Sequence, residues 1–157
     1  MTNHFIQAFK TNMIAQYQEQ KKWADDALAR CTDQTFFATL GNEADDHTNS
    51  IAILVKHIAG NFRSRWSDFL TTDGEKPDRD RPSEFVAEGN ERAALMQRWE
   101  EAWVIVFGAL QALEEEDFEK TITIRGEPLS VLQAIHRNLL HAAHHIGQID
   151  LLATALK

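Results

Sequence analysis

The chain has 157 residues, enough for one domain that buries roughly two-thirds of the surface its unfolded form would expose. Sixteen basic residues against 24 acidic ones leave a formal charge of -8, and no window clusters Lys and Arg as a phosphate-tracking surface requires, so nucleic-acid binding is disfavoured. Cys31 is the single cysteine, which excludes an internal disulfide, and no stretch approaches the ~18 apolar residues of a membrane span, so a soluble, unexported, cytoplasmic protein with no membrane partner is expected.

From about His4 to Arg30 there is neither Pro nor Gly, and Phe5, Phe9, Met13, Ile14, Tyr17, Trp23, Ala24 and Leu28 recur mostly at three- and four-residue steps. This spacing predicts a long amphipathic helix. CTDQTFFATLGNEADDHTN then mixes turn formers with Phe36, Phe37 and Leu40, which suit a short cover lying across a bundle, and it puts His47 in a loop. A second helix is expected from roughly Asn49 to Leu70, capped by Asn49 or Thr48, with Ile51, Leu54, Val55, Ile58, Phe62, Trp66 and Phe69 as its apolar stripe. TTDGEKPDRDRPSEFVAEG is the longest segment without periodicity and suits a loop that shapes the mouth of a site.

A third helix is expected from about Asn90 to Leu113, burying Leu95, Trp99, Ala102, Trp103, Val106, Phe107 and Leu110, with the following EEED as a solvated end. The alternation in TITIRGEP predicts a short extended link, too small to make a sheet domain. The last helix is expected from roughly Pro128 to Leu156, with Pro128 in its first turn. Four helices of over twenty residues, each with a one-sided apolar stripe, predict an all-α four-helix bundle in a single domain, residues 1–157.

HAAHHIGQ, residues 141–148, puts three of the seven histidines within five positions of the last helix. At about 100° per residue, His141 and His145 project roughly 40° apart, whereas His144 lies roughly 60° from His141 in the opposite sense. The inward face is Val131, Ile135, Leu139, Ala142, Ile146, Ile149 and Ala153; His145 falls inside its margin, His141 at its edge, and His144 points outward. A four-residue step sets two imidazoles side by side, as when two ligands of one helix share a metal, but two ligands bind weakly, and a pair of wet bundle-edge histidines has the same spacing. His57, in VKHIAGNFRSRW, stands at the edge of the second helix's stripe and could supply a third imidazole, giving a site whose fourth position stays open to water or substrate. His4, His47 and His136 read as surface residues. Ala142 stands where a metalloprotease helix carries its general base, and no histidine has Glu three places before it, so peptidase and di-iron chemistry are both disfavoured.

NSIAILVKHIAGNFRSRWSDFLTTDGEKPDRDRPSEF and TITIRGEPLSVLQAIHRNLLHAAHHIGQIDLLA resemble the DinB-like superfamily of four-helix-bundle metalloproteins, in particular a bacterial subfamily of uncharacterised function. The likeness covers nearly the whole chain and is carried by the histidine in KHIAGN, the TTDGEKP loop, the TI-x-IRGE link and His-x-x-x-His-x-Gly-Gln. It implies His57, His141 and His145 as the ligands of a divalent ion, often zinc or nickel, in a homodimer with an up-up-down-down style bundle and a long crossover. Members with assigned activities include low-molecular-weight thiol transferases, which implies a thiol as substrate. Asn61 and Arg65 follow His57 along the same helical edge and are candidate substrate contacts, although ordinary surface polarity predicts them equally. Gln148 could orient an imidazole or simply be a buried, satisfied amide. The charged residues Asp73, Glu75, Lys76 and Arg79 match the subfamily's loop, and a solvated turn predicts them as well. Two functions of different class therefore fit the sequence: a metal-dependent thiol transferase, and a non-catalytic stress-associated metal-binding or interaction protein.

Overall fold

The computed structural model describes residues 4–41 and 48–156. His47 lies outside the described residues. Among those described, the helices are α1 (His4–Ala29), α2 (Asp33–Phe37), α3 (Ile51–Trp66), α4 (Arg92–Ala112) and α5 (Val131–Ala155). The strands β1 (Thr121–Ile124) and β2 (Glu127–Ser130) form one antiparallel hairpin in front of α5. The architecture is an all-α bundle of α1, α3, α4 and α5, and α2 tucks Phe36 fully beneath it.

Side-chain contacts fix the direction of each helix. Lys10 Nζ donates to the carbonyls of Gln111 and Leu113 at 2.7 and 2.6 Å, and Lys21 reaches Glu100, so α1 and α4 run antiparallel. Tyr17 donates to the Ile135 carbonyl at 3.0 Å and Arg30 meets Asp150 at 2.5 Å, so α1 and α5 run parallel. Trp66 and Asn61 both meet Asn138 while His57 meets His141, so α3 and α5 are antiparallel. The order is therefore up-down-down-up, not the up-up-down-down order that the resemblance implied. Residues 67–91 form the long crossover between the parallel α3 and α4. Trp99, Trp103, Tyr17 and Phe62 are fully buried between these helices, and Phe62 meets Trp103 edge-on at 4.8 Å. Burying side chains of this size contributes about 1.5–3 kcal/mol each.

Element ends differ from the sequence expectation for local reasons. Ser50, rather than Asn49 or Thr48, caps α3 by accepting the Ile53 N–H at 3.3 Å. The helix stops at Trp66, after 16 residues, because Ser67 is extended and Asp68 takes a left-handed φ of 48°. Phe69 nevertheless remains buried against Trp66, so the apolar stripe outlasts the helix that began it. Pro128 is not in α5 but in β2, opposite Thr123. The two-residue turn Arg125-Gly126, both at positive φ, makes Ile124 and Glu127 the hydrogen-bonded pair. Pro128 then falls in the next, non-hydrogen-bonded pair, where its missing N–H costs nothing. Ser130 and Gln133 close a capping box that starts α5 at Val131. In EEED, Glu114 and Glu116 are exposed as expected, but Asp117 is buried and accepts the Glu114 N–H at 2.7 Å, so the run ends in a folded cap. Phe5 and Trp23, expected inside, are 70% and 53% exposed.

Candidate metal centre

α3 carries His57 into the interior, and α5 presents His141 and His145 half-buried on the adjoining face. The Nε2 atoms of His57 and His141 are 3.1 Å apart, and the three residues offer one ring nitrogen each within 4.8 Å of the others. These three histidines could hold a metal ion. Two nitrogens at about 2.0–2.1 Å from a tetrahedral ion stand roughly 3.3 Å apart, close to the separation of the His57 and His141 nitrogens. His144 lies outside the group, exposed, with its ring 5.1 Å from that of His145. His136 is exposed and turned to the Leu132 carbonyl of its own helix.

The outer ring nitrogens determine what the inner ones offer. Glu84 Oε2 lies 2.8 Å from His57 Nδ1, and a carboxylate there can only accept, which puts the hydrogen on Nδ1 and a lone pair on Nε2. Gln148 Oε1 accepts from His145 Nδ1 at 2.7 Å with the same result. Burial pushes the His141 imidazole down to about 3, helped by repulsion from His145, His57, Arg79 and Arg65. Burial lowers His145 too, against the opposing bond from Gln148. Neutral imidazole is the ligating form, so these shifts keep the site ready to bind.

Glu84 is the residue that the sequence reading missed. It is buried, and Arg79 grips it through Nε at 2.8 Å and Nη2 at 2.9 Å. Burial alone would raise its pKa; the hydrogen bonds from His57 and Arg79 and the Arg79 charge outweigh that and hold it below the usual range. Gly60 makes the room, since a Cβ there would collide with Glu84 Oε1. The remaining loop charges extend the same network: Glu75 binds Arg65, Arg79 and Arg125, and Asp73 accepts the N–H groups of Glu75, Arg125 and Gly126. Of the two readings of this segment, the solvated turn does not hold: it is a clamp running from the hairpin to His57. Phe85 lays its ring 4.9 Å from that of His57 and shields it. Asp78 sits at the surface, 3.9 Å from Arg63, away from the histidines.

Asn61 and Arg65 both line a small pocket, about 60 Å³, that His141 also lines. Asn61 is buried and accepts from Asn138 Nδ2 at 2.8 Å. Arg65 Nη1 donates to the Gly74 carbonyl and to Glu75. Among the described residues, His141 Nδ1 is a buried polar atom with no hydrogen-bond partner. No described helix is long and apolar enough to cross a membrane. A family model described as a protein of unknown function (DUF1572) matches residues 4–157. No curated protein matches the chain.

Proposed function

The chain belongs to the DUF1572 family, and from its site we propose that it is a divalent-metal-binding protein of the DinB-like type that transfers a low-molecular-weight thiol to an electrophile. One observation carries this reading: three imidazoles from two helices converge, two of them fixed by acceptors on their outer nitrogens, with no further protein ligand grouped with them among the described residues. Zinc or nickel held there supplies the positive charge against which a thiol loses its proton near neutral pH. His57, His141 and His145 bind; Glu84 and Gln148 aim His57 and His145; Phe85 keeps water from the flank of His57. Asn61 and Arg65 border the space left for the rest of the thiol. The reaction balances as a thiol RSH and an electrophile R′X giving RSR′, X⁻ and H⁺, so no oxidant is needed. It suits the cytosol, where thiols stay reduced, and a homodimer, for which α5 offers exposed Leu140 and Leu151.

The test is a panel of cellular thiols assayed against a generic alkylating electrophile with metal-loaded protein, with and without chelator. Turnover that the chelator abolishes, and that His57→Ala lacks, is expected. A loaded protein that turns over no thiol would leave the non-catalytic metal-binding reading in its place.

A further inference from the structure

The pocket beside His141 has a one-sided chemistry. Its floor is apolar, formed by side chains such as Trp66 and Ile124, and no carboxylate lines it. The hydrogen-bond network decides which polar atoms remain free. Trp66 Nε1 has only a hydrogen to give and donates to Asn138 Oδ1 at 2.7 Å, so the Asn138 amide nitrogen must face Asn61. Asn61 therefore accepts through Oδ1, and its own NH₂ has no protein partner among the described residues. Arg65 uses only Nη1 on the loop, which leaves Nε and Nη2. Arg137, exposed on α5, makes no hydrogen bond or ion pair among the described residues. The free side-chain groups of Asn61, Arg65 and Arg137 are thus all donors, and two are guanidinium cations, in a chain whose formal charge is -8.

We propose that this pocket is an oxyanion subsite, which receives the carboxylate or a similarly compact anionic group of the molecule whose other end occupies the open metal position. Its volume, about 60 Å³, exceeds several-fold the ~10–15 Å³ that one water needs, which suits a carboxylate with a carbon or two. Planar guanidinium forks match carboxylate geometry, and a part-buried pocket whose free groups on Asn61, Arg65 and Arg137 only donate disfavours a neutral isostere that brings hydrogens of its own. The physiological thiol is then an acidic one, such as a short mercapto acid or a peptide-like thiol with a free carboxylate. The identity of the second end rests on the metal reading above; the anion subsite itself does not.

Two measurements separate them. Acetate titrated into the full chain, followed by the Asn61 side-chain amide and Trp66 indole signals in ¹⁵N spectra, should give a saturable shift that acetamide does not. Arg137→Gln, at an exposed position with no partner to lose, should weaken acetate binding about tenfold, the effect of one charge-assisted hydrogen bond. Equal binding of acetamide, no shift with acetate, or unchanged affinity in Arg137→Gln overturns the subsite. With zinc-loaded protein, mercaptoacetate should bind about tenfold more tightly than 2-mercaptoethanol, and Arg137→Gln should erase the difference. Equal affinity of the two thiols for the loaded wild-type protein overturns the bifunctional ligand. If neither thiol binds the loaded protein, it is the metal reading that fails, and the acetate titration still decides the subsite.

Discussion

Glu84 lies outside the three-histidine group, yet it sets the state of one of its members. Its carboxylate holds the His57 hydrogen on Nδ1, and Arg79 keeps that carboxylate charged in a buried place. Removing such an outer partner commonly weakens metal binding about 10–100-fold, so Glu84→Gln should raise the zinc dissociation constant by that factor in a competition titration with a chromophoric chelator. An unchanged constant would mean that His57 is oriented by something else. His141 gives a second residue-scale prediction, with the sign following from its depressed pKa. The unfolded imidazole titrates near ~6.5 and the folded one at about 3, so between these values the unfolded state binds more protons and stability falls as the solution is acidified. His145 shifts in the same direction. The Tm of metal-free protein should drop from pH 7 to pH 5, above the carboxylate range, and His141→Gln should shrink the drop. A Tm that stays flat across that window contradicts the burial of a neutral His141. The histidines were legible in sequence because a four-residue step projects onto one helical face, and the apolar stripes of α3 and α5 supply the reference direction. Glu84 was not, because it lies 27 residues from His57 in a crossover without periodicity. Only the folded clamp of Asp73, Glu75 and Arg79 delivers it.

At the scale of elements, α3 is shaped as much for the loop beside it as for the core. Replacing a helical Gly by Ala ordinarily adds up to about 1 kcal/mol of helix stability. At Gly60 the new methyl would strike Glu84 Oε1, so Gly60→Ala should instead loosen the loop and lower zinc affinity while helical circular dichroism is retained. Higher Tm with undiminished zinc affinity would show that Glu84 has room to move. Ser130 is a simpler case: its capping box starts α5, and Ser130→Ala should cost about 1 kcal/mol in chemical denaturation. Four long helical elements could be read from the sequence, since their periodicity persists over many turns. Their ends could not, because Phe69 continues the stripe of α3 past the helix, and Pro128 reads as a helix start when the turn chemistry of Arg125-Gly126 has already made it a strand residue. Asp117 likewise looks solvated within an acidic run until the cap that buries it is formed.

Across the whole molecule, the bundle brings α3 and α5 together antiparallel, which is what lets a histidine near the middle of one meet two from the middle of the other. The fold class followed from four amphipathic segments and one short hairpin link. The up-down-down-up order did not, because two helices joined by a long connection can be parallel or antiparallel without any change in their patterns. Leu140 and Leu151, exposed by 70% and 62%, stand three turns apart on one outward face of α5. Paired against a second copy they would lose that exposure, so sedimentation should report a dimer, and Leu140→Glu with Leu151→Glu a monomer; a wild-type monomer contradicts that assembly. The convergence of His57, His141 and His145 on one cation is tested most directly by elemental analysis after zinc loading and desalting, with wild-type, His145→Ala and His144→Ala protein treated in parallel. About one ion per chain in wild type and His144→Ala, and a loss of most of it in His145→Ala, is the predicted result; no bound ion, or equal retention by both variants, contradicts it.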